Sequence, residues 1–171
     1  MSSKTIRVLG IDPGLRNTGW GIIDIAGSRM SHVAHGTIRP NTKETLANRL
    51  AHLYAEMAQL VARLQPDECA IEEAFMASNA SSALKLGHAR AAGLLAPANS
   101  GIPVFEYAAR LVKKSVVGTG AADKDQIAAM VGILLPGTKA SADEADALAI
   151  AICHSHHRTA RMRGSDLGSA A

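Results

Sequence analysis

Two short apolar runs in this chain each end on a carboxylate: Ile6-Arg7-Val8-Leu9-Gly10-Ile11-Asp12 and Glu68-Cys69-Ala70-Ile71-Glu72. Runs of this length read as buried strands. An acid on the last residue of a buried strand is costly unless something neutralises it. Two further acids, Asp143 and Asp146, stand at the head of the alanine-rich segment Ser141-Ala142-Asp143-Glu144-Ala145-Asp146-Ala147-Leu148-Ala149-Ile150. Two strand ends and one helix start can bring these groups together, and a divalent cation is their natural counter-charge. A fold for this chain has to place them on one edge.

The rest of the pattern supplies such an edge. Pro13-Gly14 turns the chain after the first strand, and strands over 20–25 and 32–38 follow, separated by a turn at Gly27-Ser28, as in an antiparallel meander. Thr45 opens a helix whose stripe of Leu46, Leu50, Leu53, Met57, Leu60 and Leu64 has the 3.6-residue period, stopped at Pro66. After the Glu72 strand the pattern predicts a helix from Ser82 towards Leu95 and a strand at Val104–Tyr107. Helices over Ala108–Val117, Asp123–Leu135 and Ala142–Arg158 complete the chain. Strands first, then strands alternating with helices, give an α/β fold with a mixed sheet covered by helices on both faces. Sites in such sheets gather at the carboxyl ends of adjacent strands, where Asp12 and Glu72 both belong. Residues 1–163 are expected to form a single domain, and the patternless 164–171 a disordered tail.

Composition narrows the class. Of the 171 residues, 47% are hydrophobic and only 3% aromatic, so the core is built from Ala, Leu, Ile and Val. The net charge of +3 suits an anionic partner, and setting four acids aside for metal leaves the remaining surface more basic still. Cys69 and Cys153 form no paired motif, which fits a reducing compartment. There is no signal-peptide core and no apolar stretch near the ~20 residues of a membrane span, so a cytoplasmic protein without membrane contact is expected.

The chemistry follows from the donor set. Oxygen ligands with no companion Cys or His set favour magnesium, with manganese able to substitute, over zinc. Two such ions about 4 Å apart can activate water and stabilise a departing oxygen in phosphodiester hydrolysis. Asp143 and Asp146, at i and i+3, project from one side of a helix. Glu144 points about 100° away and completes a capping box with Ser141, so it reads as structural. Taken singly, a strand-end Asp is usually a turn residue and an Asp-x-x-Asp at a helix start usually a cap; their joint occurrence with Glu72 favours function.

Longer motifs make the reading specific. Gly10-Ile11-Asp12-Pro13-Gly14 with Thr18-Gly19-Trp20-Gly21, Ala70-Ile71-Glu72-Glu73-Ala74-Phe75-Met76-Ala77, Ser82-Ala83-Leu84-Lys85-Leu86-Gly87-His88-Ala89-Arg90, Val104-Phe105-Glu106-Tyr107-Ala108-Ala109 and Asp143-Glu144-Ala145-Asp146-Ala147-Leu148-Ala149 occur in that order. The set, with Val112-Lys113, Val116-Val117-Gly118-Thr119-Gly120 and Ala122-Asp123-Lys124, resembles the RuvC family of Holliday junction resolvases from about Val8 to Ile152. The resemblance implies a ribonuclease H-like fold with a five-stranded sheet and a homodimer. It also implies two magnesium ions per site, paired symmetric nicking of four-way DNA junctions in recombination and repair, and a RuvA-RuvB branch-migration complex as partner. It places metal and catalysis on Asp12, Glu72, Asp143 and Asp146, two functional lysines on Lys113 and Lys124, and a junction-contacting aromatic on Phe75. Ser78 stands where many members carry a basic residue, Leu15 replaces a frequent Ser, and Pro97 interrupts a helix otherwise continued by small residues.

Lys85, Arg90 and Lys114 join Phe75, Lys113 and Lys124 as expected DNA contacts, although basic residues on a helix face are often only solvated. Cys153-His154-Ser155-His156-His157 lacks a second ligand pair and reads as a basic helix end rather than a zinc site, and Trp20 as core. The expected dimer face is the stripe Ala83, Gly87, Ala91 and Leu94. Two competing classes share some of these features. An actin-like or sugar-kinase ATPase would duplicate the fold and carry a second phosphate loop, and a non-catalytic junction-binding protein would not require all four carboxylates.

Overall fold

The computed structural model describes residues 4–73 and 79–168, with side chains through 158. The elements run β1 (Ile6–Asp12), β2 (Thr18–Ala26), β3 (Arg29–Ile38), α1 (Leu46–Leu64), β4 (Glu68–Glu72), α2 (Ala80–Asn99), β5 (Val104–Tyr107), α3 (Ala109–Val117), α4 (Lys124–Leu134) and α5 (Ala142–Gly168). The five-stranded sheet has the order β3-β2-β1-β4-β5. The first three strands form the expected antiparallel meander, with Gly27 at φ 64° in its second turn. β1, β4 and β5 are parallel, with Ile11 opposite Ile71 and Glu72 opposite Tyr107. The carboxyl ends of β1 and β4 therefore emerge side by side, carrying Asp12 and Glu72.

Alternation along each strand sorts its side chains between two cores. Leu9, Ile11, Ile22 and Ile71 pack on α1 and α2 through Leu53, Met57, Leu60, Ala89 and Ala92. Val8, Ile23 and Ala70 face the opposite way, onto Val112 and Val116 of α3, Ile127 and Val131 of α4, and Leu148–Cys153 of α5. By the same parity Asp12 lies with Val8, and Glu72 with Ala70, on the α5 side. Among the described residues no helix is long and apolar enough to cross a membrane.

Local chemistry sets the helix ends. Thr45 caps α1 by accepting from Asn48 N–H at 3.3 Å, and Gln65 ends it in the left-handed region at φ 47°. α2 begins before the expected Ser82, because the Asn79 side chain accepts from the backbone of Ser81 and Ser82. It also outlasts Leu95. Pro97 sits buried in its last turn, where it removes one ladder N–H, and its carbonyl accepts from Ser100 and Ile102 as the helix ends. α5 continues past the expected Arg158 to Gly168.

The expected dimer stripe on α2 is rotated. Leu94 packs into the α1–α2 core and Ala83 is half-buried, whereas Leu84 (63% exposed), Ala91 and Leu95 (48%) face outward. One residue of offset on a helix is about 100° of rotation, which pattern alone did not resolve.

Candidate active site

Three glycines let α5 reach the acidic strand ends. A Cβ on Gly10 would stand 2.1 Å from the Ala147 carbonyl oxygen, one on Gly19 2.1 Å from that of Asp143, and one on Gly21 2.6 Å from the Leu148 side chain. No side chain fits there, so the first turns of α5 lie directly on β1 and β2. The contact at Gly19 is to Asp143 itself, which fixes the expected acidic helix start beside Asp12. These glycines were legible only as turn or strand residues, because close approach between backbones leaves no pattern in one sequence.

The start of α5 is anchored on its other side by Glu144. Its carboxylate accepts from the Ser141 backbone N–H at 2.7 Å and from Thr37 Oγ1 at 3.4 Å, with His35 Nε2 3.8 Å away. These partners, led by the Ser141 backbone N–H, outweigh burial and hold the Glu144 carboxyl below its usual range. Glu144 is structural, as its position around the helix indicated.

Asp12, Glu72 and Asp146 converge with Lys113 and Lys124 on a cleft of about 280 Å³, floored by Ala109, Val112, Ile127 and Ala149. α3 and α4 supply the lysines through the turn Gly118–Gly120, with Gly118 at φ 91° ending α3 and an Asp123–Gln126 capping box starting α4 at Lys124. Lys124 Nζ lies 3.1 Å from Asp146 Oδ2, and the hydrogen bond and charge of Asp146 raise the Lys124 ammonium above its ordinary value. Asp143 lies on the neighbouring side of Asp12, lining a second groove with the loop Pro13–Asn17 and Lys85.

The electrostatics are those of an uncompensated acidic centre. Burial, with Asp146 and Glu72 adding to it, pushes the Asp12 carboxyl up to about 8 despite Lys124. Glu72 is also raised, by burial and then Asp146, against the opposing charge of Lys113 and Lys124. A protein that buries carboxylates in this way needs a cation stronger than two partly solvated lysines. Among the described residues no three Asp, Glu, His or Cys side chains stand in a closed metal-ligating set. Asp146 instead turns to Lys124. Four carboxylates at one edge, with the proton affinity of Asp12 and Glu72 raised, still match a hard divalent cation, which would displace the proton and the ammonium.

The other expected contacts divide. Lys113 lines the cleft, and Lys114 is exposed outside it. Arg90 is engaged inside the protein: its Nε donates to the Glu72 carbonyl at 3.0 Å and its Nη2 pairs with Glu106. It thus braces the end of β4 rather than offering that edge to a phosphate. Phe75 and Ser78 lie outside the described residues. The Cys153–His157 cluster is not a basic helix end. Fully buried His154 bridges the Tyr107 hydroxyl (2.8 Å) and Glu68 Oε2 (2.6 Å), Arg158 Nε donates to Glu68 at 3.0 Å, and Cys153 Sγ donates to Ser115 at 3.3 Å. The network ties α5 to β4 and β5 behind the acids. Its sequence signal was Glu68, two pleats before Glu72 on the same face.

Comparison with known proteins decides the family. The sequence model for crossover junction endodeoxyribonuclease RuvC matches residues 8–154. The chain belongs to the RuvC family. A RuvC from Maricaulis maris is 68% identical over 98% of both chains, and one from Caulobacter vibrioides is 56% identical over 92% of this chain and 94% of its own. Among solved structures, the RuvC of T. thermophilus in complex with Holliday junction substrate superposes with a TM-score of 0.84 at 30% identity, covering 90% of this chain and 95% of its own. The fold is accordingly ribonuclease H-like. A yeast mitochondrial Holliday junction resolvase shares that fold at a TM-score of 0.62 and 13% identity.

Proposed function

We propose that this chain is the endodeoxyribonuclease that resolves four-way DNA junctions by paired symmetric nicks, in recombination and repair. The observation that carries the reading is the convergence of Asp12, Glu72 and Asp146 with Lys113 and Lys124 in one cleft of a RuvC-family fold. The ligands of two magnesium ions, or of manganese in their place, would be Asp12, Glu72, Asp143 and Asp146. When bound, such ions neutralise phosphate charge and lower the pKa of a water.

The protein's own groups do the rest. Asp12 and Glu72 sit on paired parallel strands, and Asp143 and Asp146 on a helix seated on glycine, so the backbone brings the four donors to one edge and leaves the side chains to close on the metal. Lys113 and Lys124 face the same cleft and can stabilise charge developing on the scissile phosphate. The apolar floor keeps bulk water from one side. Two nicks of like polarity require two such sites, which a two-fold homodimer supplies. Handover from a RuvA-RuvB branch-migration complex in the cytoplasm completes the proposal.

Cleavage of a synthetic four-way junction, compared with plain duplex across a magnesium titration, tests it. The wild type is expected to cut the junction only with metal. Asp12→Asn, Glu72→Gln, Asp143→Asn and Asp146→Asn should each abolish cutting while junction binding persists. A variant with near-normal rates would remove its residue from the set, and equal cutting of duplex would overturn the reading.

A further inference from the structure

The second groove beside Asp12 holds cations for which the cleft has no use. It has a volume of about 580 Å³, shares Asp12 with the cleft, and takes in Asp143, Arg16, Thr42, Arg49 and Lys85. The cleft is walled by α3 and α4 on one side of the sheet, whereas this groove is walled by α1, α2 and the β1–β2 loop on the other. The two depressions therefore leave the acidic centre in opposite directions.

Its charge is distributed unevenly. The acids lie where it meets the cleft, and would be neutralised by metal; the rest is basic. Among the described residues Arg16, Arg49 and Lys85 have no ion-pair partner, in a structure where Arg7, Arg90 and Arg158 each have one. Arg16 and Lys85 are exposed. Arg49 is held differently. Its Nη2 donates to the Leu15 carbonyl at 2.7 Å, clasping the β1–β2 loop, while its Nε is buried without a hydrogen-bond partner. A buried guanidinium N–H left unsatisfied costs free energy unless a ligand accepts it, and phosphate oxygens match the guanidinium fork.

We propose that this groove binds the phosphodiester backbone of the cut strand on the side of the scissile phosphate opposite Lys113 and Lys124, with Arg49, Arg16 and Lys85 as the phosphate contacts. The assignment rests on the junction-cutting reading and deepens it. The strand would run along the groove, cross the acids, and leave past the two lysines. Arg49 also couples grip to geometry, because the loop it clasps continues directly from Asp12.

The test uses full-length protein carrying Glu72→Gln, which keeps the junction intact and lies outside this groove. Junction affinity is measured against salt for Arg16→Ala, Lys85→Ala and Arg49→Gln added singly, and again with neutral methylphosphonates walked along the cut strand. Each cation removed should weaken binding and flatten the salt slope by ~0.9. One or two methylphosphonates on a single flank of the cut should weaken the Glu72→Gln protein but add no further loss to the matching groove variant. Arg16→Ala and Lys85→Ala, both at exposed positions, keep the test decisive if Arg49→Gln disturbs the loop. Unchanged affinity and slope in these two variants, or additive losses at every phosphate, would overturn the groove. Junction cutting by wild type in magnesium is scored separately, so its absence would count against the proposed function instead.

Discussion

Asp12 takes up its last proton at about 8 rather than at its ordinary 3.8, because burial and neighbouring acids disfavour its charge. Between those values the folded protein holds a proton that the unfolded chain has released, so metal-free stability must fall as pH rises from about 4 to about 8. Asp12→Asn removes that loss. In chelator at pH 8–9 the variant should be more stable than wild type by at least about 1 kcal/mol, and its denaturation midpoint should depend less on pH across the window. Parallel pH profiles for the two proteins would show that Asp12 ionises freely. The lysines separate by kinetics. Lys124, drawn to Asp146 at 3.1 Å, and Lys113, lining the same cleft, should each lose single-turnover rate on substitution by Ala more than they lose junction affinity. Loss of affinity alone, with a flattened salt slope, would make them phosphate grips. Glu144→Gln is the matched control. It weakens the start of α5 by about 0.5–1 kcal/mol and leaves cutting in place.

The element on which the site depends is α5. Its acids reach Asp12 because Gly10, Gly19 and Gly21 bring the helix backbone against the sheet, and its middle is tied down by His154 between Tyr107 and Glu68. Gly10→Ala puts a methyl 2.1 Å from the Ala147 carbonyl oxygen, where backbone and not a flexible tip must yield. A cost of about 1–3 kcal/mol is expected, together with a higher magnesium requirement, since Asp146 rides on the displaced helix. Gly132→Ala in α4 is the contrast: nothing lies within 4 Å of the added Cβ, and a helical Ala should stabilise by roughly 0.5–1 kcal/mol. Denaturant midpoints and magnesium titrations of cleavage check both. A Gly10→Ala protein with unaltered metal response would show that the glycine seat serves packing alone.

At the scale of the whole molecule, the described residues of one chain offer one carboxylate centre and one outward apolar stripe on α2, with Leu84 63% and Leu95 48% exposed either side of Ala91. Covering it with a second copy would bury two large side chains per chain, each contributing about 1.5–3 kcal/mol. Ala91→Arg adds a charge at the centre of that stripe without entering the core. The expected product is a folded monomer, judged by sedimentation and circular dichroism, that nicks one strand at a time and loses paired cutting. Wild-type protein sedimenting as a monomer with junction DNA bound would end the dimer proposal.

The strand ends, the meander, the Ser141–Glu144 cap and the acids at two strand ends and a helix start could all be read along the chain, because each is a local pattern: an apolar run stopped by an acid, a period of two or 3.6, a cap three residues from its partner. The family resemblance was local in the same sense, an ordered series of short motifs. What tertiary structure alone decided depends on pairs far apart in sequence. Arg90, legible as a free basic residue, is engaged by Glu72 and Glu106. His154, legible as part of a charged helix end, is buried against Tyr107 and Glu68. The outward face of α2 turned by one residue because packing on α1, not the small-residue stripe, sets its rotation. Arg16 and Arg49 carried no motif at all, and only the meeting of α1, α2 and the loop after Asp12 places them on a common groove. Residue type and spacing determine which groups can do chemistry; burial and the partner across the fold determine which remain available for it.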